Sequence, residues 1–241
     1  MRFSMMKSVF LLGLALAVSA HSGDIKGKVI FEGTPPPEQP IRMTGDPKCE
    51  MIHKGETLMT TNFVVGPDKG LQWVFVYLKE GVSGEFPPPK EPVVLDQVGC
   101  HYVPHVFGIQ VGQPLTLRNS DPLLHNVHII PKENKEANIG MPLVGDLPHV
   151  FDKPEVMITI KCDIHNWMYA FAGVMPHPFF ATTAPDGAFE IKNVPAGDYK
   201  IAFWHRRMAE QVLDIQVAEG PMEQNVTFNE SMIKGRKKKA E

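Results

Sequence analysis

Residues 162–168 read Cys-Asp-Ile-His-Asn-Trp-Met, and 37 residues before Cys162 stands His125, in the run Asp-Pro-Leu-Leu-His-Asn-Val. A thiolate from Cys162, imidazoles from His125 and His165 and a thioether from Met168 make the ligand set of a blue-copper electron-transfer centre. The thiolate donates strongly and the imidazoles are borderline ligands, so one trigonal arrangement suits both copper oxidation states and little rearrangement accompanies electron transfer. The thioether, at longer range, helps set the potential. The expectation is therefore one copper ion held by His125, Cys162, His165 and Met168, kept dry by Val127, Ile164 and Trp167. Cys-x-x-His alone would read as a buried thiol and an ordinary loop histidine; the two further ligands shift the balance toward metal.

Convergence of these side chains requires His125 on one strand and the Cys162 loop between two others. Strand-like runs lie at 106–111 and 115–118, with Gly112-Gln-Pro as the turn between them, and at 127–130, 156–161 and 170–174. The proline of Phe151-Asp-Lys-Pro-Glu marks the turn into the strand that Cys162 ends. Twenty-two prolines and twenty glycines punctuate short alternating runs, and no stretch keeps helical spacing for long. That pattern predicts an all-β protein of sandwiches or barrels.

With those residues in hand, the segment from about 93 to 176 resembles the cupredoxin family. Its Cys-x-x-His-x-x-Met spacing is similar to that of the amicyanin branch, whereas plastocyanin-type loops place more residues before the methionine. The resemblance implies a Greek-key β-sandwich, the ligand set above, and a supporting role for Asn126, hydrogen-bonding toward the cysteine loop. An electron carrier of this kind is expected to have a redox protein partner, whose identity the resemblance does not give. Three features depart from the pattern. His128 follows His125 by three residues, so strand alternation puts it on the opposite face. Asn166 stands where amicyanin has proline. Cys49, His53, Cys100, His101 and His105 have no counterpart in a minimal cupredoxin. They form either a second metal site or, for Cys49 and Cys100, a disulfide. The disulfide is favoured, because in an oxidising compartment two cysteines left over from copper binding pair with each other.

The remaining chain divides by composition. Residues 1–20 combine Arg2 and Lys7, an apolar run and a Val-Ser-Ala end, the pattern of a secretory signal peptide. The apolar run is too short to span a bilayer. Cleavage would leave His21 or a nearby residue first, although a copper-chelating N-terminus at His21 is disfavoured because Ser22 would serve the cleavage site as well. Residues 21–92 read as an N-terminal β segment, with strands at 24–32 and 73–78 and a proline-rich stretch at 84–92. Residues 93–180 are assigned to the cupredoxin-like domain and 181–230 to a second β module. The latter rests on Asp186-Gly-Ala-Phe-Glu-Ile-Lys-Asn-Val-Pro-Ala-Gly-Asp-Tyr-Lys-Ile201, which resembles carboxypeptidase-regulatory-like, or transthyretin-like, sandwiches. Residues 24–33 are either part of the first segment or the first strand of that module. Trp204 and His205 lie near the copper loop or fill a core, with the core favoured. Residues 231–241 are a basic tail.

Charge excludes one function class. The net charge of −3 becomes −5 once Arg2 and Lys7 leave with the leader, and such a balance carries no footprint for nucleic acid. No His-Glu-x-x-His, phosphate-binding glycine loop or Cys-x-x-Cys-His haem site is present, so no enzymatic turnover is expected. The reading is an exported, periplasmic or secreted one-copper electron carrier, with no transmembrane segment in the mature chain. Copper storage or delivery, and a cell-surface module for glycans or proteins, are the alternatives.

Overall fold

Short alternating strands build this chain, as the burial of β1 (Ser22–Glu32) illustrates: Ile25, Val29 and Phe31 point inward while Lys26, Lys28 and Glu32 do not. The computed structural model describes residues 22–43 and 45–235. The leader at 1–20, His21 and the tail from residue 236 onward lie outside the described residues. The strands that follow are β2 (Phe75–Glu80), β3 (Val93–Val98), β4 (His101–Val103), β5 (Val106–Gln110), β6 (Pro114–Asn119), β7 (His125–Ile130), β8 (Ala137–Met141) and β9 (Gly145–Val150). Then come β10 (Glu155–Lys161), β11 (Tyr169–Met175), β12 (Phe180–Thr182), β13 (Ala188–Pro195), β14 (Gly197–Trp204), β15 (Gln211–Val217), β16 (Gly220–Glu223) and β17 (Val226–Asn229). A six-residue helix, α1 (Pro47–Ile52), lies between β1 and β2.

The strands pair into four sheets that make two sandwiches. Strands β3 to β11 form a cupredoxin-like sandwich, with one sheet ordered β5-β11-β10-β7-β8 and the other β4-β3-β6-β9. Its core gathers Leu95, Ile109, Leu117, Val127, Ile129, Phe151, Ile158, Ile160 and Val174. The second sandwich stacks β13-β1-β16, with β17 also on β1, against β12-β2-β14-β15. Phe31, Leu78, Ile201, Phe203 and Phe228 lie in its core.

This pairing puts β1 with the C-terminal module, the second of the two readings of residues 24–33, and corrects the reading of the rest of residues 21–92 as a segment of its own. Strand β1 runs antiparallel to β13, and β2 runs antiparallel to β14 and β12. Both therefore belong to the C-terminal sandwich, on opposite sheets, and β3 to β11 are inserted between β2 and β12. The boundary at 180 moves as well, since Phe180 begins β12. Strands β8 and β9, short and interrupted by Gly140 and Pro148, carried no strand signal. Each lies at a sheet edge, where weak formers and proline are tolerated.

The two sandwiches pack on each other through Phe75, Tyr77, Val106, Phe171, Met175 and Ala202, with Trp73, Tyr169, Phe180 and Trp204 around them. Gly108 on β5 pairs in register with Gly173 on β11. A Cβ on Gly108 would meet Phe180 at 2.2 Å and one on Gly173 would meet Phe75 at 2.4 Å. This bare spot lets the two rings lie on the sheet. Trp204 packs on Phe171 and His205 on Phe63, so both fill core between and within the sandwiches.

Candidate metal centre

The loop that carries Cys162, His165 and Met168 begins where β10 ends. Cys162 donates its N–H to Met168 C=O at 3.0 Å, and Met168 donates its own to His165 C=O at 2.9 Å. These bonds close residues 162–168 into a tight turn between antiparallel β10 and β11, aiming His165 back toward the cysteine. Strand β7 pairs with β10 on its other side, which brings His125, at the start of β7, to the same end.

Three of the four expected ligands converge: one ligand atom each of His125, Cys162 and His165 lies within 4.8 Å of the others. His125 Nδ1 and His165 Nδ1 are 2.9 Å apart, and Cys162 Sγ is 3.6 Å from His165 Nδ1. Met168 is 1% exposed and packs in the same core cluster as Cys162. His125, Cys162 and His165 are 0%, 2% and 1% exposed. Cys162 is the free cysteine of the described chain. Burial pushes its thiol up, but hydrogen bonding from His125 and from backbone groups near Asn126 and His165 outweighs this and leaves it below its ordinary value.

Each histidine is oriented by a carboxylate. His125 Nε2 donates to Asp121 Oδ2 at 2.9 Å, and His165 Nε2 donates to Asp46 Oδ2 at 3.0 Å. A ring whose Nε2 proton is so engaged presents Nδ1 as its ligating nitrogen. Two neutral rings in that tautomer would set lone pair against lone pair at 2.9 Å, so the pair calls for a cation or a shared proton. Burial lowers the pKa of His125, yet Asp121 and Cys162 raise it more, and the net direction is up. Burial raises that of Asp121, and His125 with the N–H groups of Cys100 and Gly99 brings it net down. Soft sulfur and two inward nitrogens, each with a held far side, fit copper.

Asn126 lies beside the cysteine. Its Oδ1 accepts the Asp163 N–H at 2.7 Å and sits 3.3 Å from Cys162 Sγ; its Nδ2 donates to Asn138 Oδ1 at 2.7 Å. His128 faces away from the ligands and bonds Asp163 and Glu136.

Cys49 and Cys100 are joined in a disulfide. Cys100 occupies the two-residue turn between β3 and β4, where Gly99 has φ +60° and Cys100 +56°. Positive φ at both positions belongs to the type I′ hairpin, and a cysteine there is strained. The N–H groups of Gly99 and Cys100 both donate to Asp121 at 2.8 Å, which helps hold the turn. His53 and His101 donate to Gly99 C=O and His105 to Tyr169 C=O. These three histidines thus bond backbone carbonyls, and the two cysteines bond each other.

Sequence reasoning missed both supporting carboxylates. Asp121, four residues before His125, was within view; Asp46, over a hundred residues from His165, left no local signal.

No family profile and no curated protein matches the chain. Among solved structures, it is similar to a copper-containing nitrite reductase from Thermus scotoductus SA-01, at 21% identity over 41% of this chain and 25% of that one, TM-score 0.33. A purple cupredoxin from Nitrosopumilus maritimus aligns at 22% identity over 34% of this chain and 97% of its own, TM-score 0.29. A methionine-to-alanine variant of amicyanin, Cu(I) form, aligns at 20% identity over 39% of this chain and 86% of its own, TM-score 0.31.

Proposed function

We propose that this chain is an exported one-copper protein that passes single electrons to and from a protein partner. The observation that carries the reading is the pair of inward Nδ1 atoms beside a free, buried thiol, each ring backed by a carboxylate. Bound copper would supply a one-electron couple, with His125, Cys162 and His165 as its strong ligands and Met168 as the weak fourth. The protein's part is to hold those side chains still. The tight 162–168 turn fixes Cys162, His165 and Met168, Asn126 fixes the cysteine strand, and the carboxylates fix ring orientation. Four ligating residues at 2% exposure or less leave no approach for a substrate, which favours a carrier over a catalyst. The same closure disfavours ready delivery of the metal to another protein. Among the described residues no helix is long and apolar enough to cross a membrane. The second sandwich is read as a carboxypeptidase-regulatory-like module, on its Asp186-Gly187 turn and the alternation that follows.

The test is the optical spectrum of protein loaded with one equivalent of copper(II). Intense thiolate-to-copper absorption is expected, Cys162→Ser abolishes it, and Met168→Leu keeps it while raising the potential. A tenfold change in the one-electron equilibrium is about 59 mV, and a shift of that order is expected for the methionine variant. A colourless, redox-silent complex would overturn the reading.

A further inference from the structure

Residues 41–43 and 45–60 belong to no strand of either sandwich and lie in the link between β1 and β2, yet they reach the candidate metal centre. The N–H of Ile41 donates to Leu58 C=O, and Met43 is buried in the core of the cupredoxin-like sandwich. From that base the chain turns into α1, whose N-cap is Asp46. One oxygen of Asp46 caps the helix by accepting the Lys48 N–H at 2.8 Å; the other accepts the His165 Nε2–H at 3.0 Å. Cys49, on the same helix, has its sulfur 3.7 Å from that nitrogen. The Trp167 ring lies 5.1 Å from the His165 ring.

We propose that this segment is a clamp on the ligand His165, with Asp46 as the positioning residue, and that it makes a bound copper ion slow to leave. The inference rests on the copper reading above and deepens it. A loop histidine can leave a metal by rotating about its side-chain bonds. Here the far nitrogen is bonded to a carboxylate and the ring is 1% exposed, so rotation breaks a charge-assisted bond. The clamp is itself tied down. Cys49 is bonded to Cys100, whose N–H donates to Asp121, and Asp121 holds the other histidine, His125. One covalent link therefore joins the supports of both ligating rings.

Asp46→Asn separates this role from helix capping. Asparagine caps as well as aspartate does, so the helix keeps its start. Its single carbonyl oxygen cannot serve both Lys48 and His165, and the amide turned to His165 would favour the proton on Nδ1, the wrong tautomer for ligation. Asp46→Ser likewise keeps a cap and loses the second acceptor. Loaded wild type and both variants are mixed with excess bicinchoninate after reduction, and transfer of Cu(I) is followed by absorbance. Loss of a supporting partner typically costs about 10- to 100-fold in metal affinity, and release is expected to accelerate by that order in both variants. In metal-free, nitrogen-15-labelled protein, the His165 Nε2 proton is expected to exchange slowly in wild type and rapidly in the variants. Unchanged release together with unchanged ring signals would overturn the clamp. If wild type took up no copper, the copper reading alone would fail, and the proton-exchange result would still decide whether Asp46 holds His165.

Discussion

His125 and His165 face each other through Nδ1 atoms 2.9 Å apart, and each donates a hydrogen bond from its Nε2–H to an aspartate. Those two bonds fix the orientation in which both Nδ1 atoms turn inward, toward a shared proton or a cation. In the copper site proposed above, pre-set ring orientation would spare the reorganisation that otherwise accompanies loading and electron exchange. The two carboxylates come from different parts of the chain. Asp121 lies in the loop ahead of β7, whereas Asp46 lies on the link between β1 and β2 of the other sandwich.

Asp121→Asn should weaken copper binding by about 10- to 100-fold. The amide that replaces the carboxylate cannot accept from His125 Nε2 and from both the Gly99 and Cys100 N–H groups. Competition against a copper chelator of known affinity measures the effect. An unchanged dissociation constant would show that the hairpin turn and disulfide position His125 without the aspartate.

Thiol counting checks the pairing of the cysteines. Unfolded without reductant, the chain should titrate as one thiol, from Cys162; after reduction it should titrate as three. Replacing Cys49 and Cys100 together by alanine opens a loop spanning 51 positions. Chain entropy for a loop of that size places the loss at about 4 kcal/mol, read by urea denaturation of the metal-free protein.

His128 gives the stability a pH dependence. Hydrogen bonds to Glu136 and then Asp163 raise its pKa. Its contribution is complete below the ordinary histidine pKa of about 6.5 and is lost as pH climbs through the raised folded value. Asp163 is depressed, first by Lys161 and then by His128, so its contribution persists above the usual carboxylate range and fades only as pH falls through that low value. Near neutrality only the histidine changes. Denaturation of metal-free protein at about pH 6 and about pH 8 should show His128→Gln losing less stability than wild type between the two. The difference is small because the network lies near the surface. Comparing the two proteins separates His128 from buried His105 and His177, whose pKa values burial lowers. Parallel losses in both proteins would sink the assignment.

What the sequence determined by itself was local. The spacing of Cys162, His165 and Met168 is set by one turn, and a turn's geometry follows from a few neighbouring residues. The alternation of Phe189 with Ile191, and of Tyr199 with Ile201 and Phe203, is likewise a property of single strands. An all-β chain was therefore legible from its period and punctuation. The tertiary structure decided which strands share a sheet. Nothing within Ser22–Glu32 or Phe75–Glu80 states that each pairs across an inserted sandwich, because pairing depends on faces formed elsewhere in the chain. The same holds for the centre. Asp46 reaches His165 across 119 positions of sequence, and a contact of that kind exists only once two separate surfaces have folded against each other.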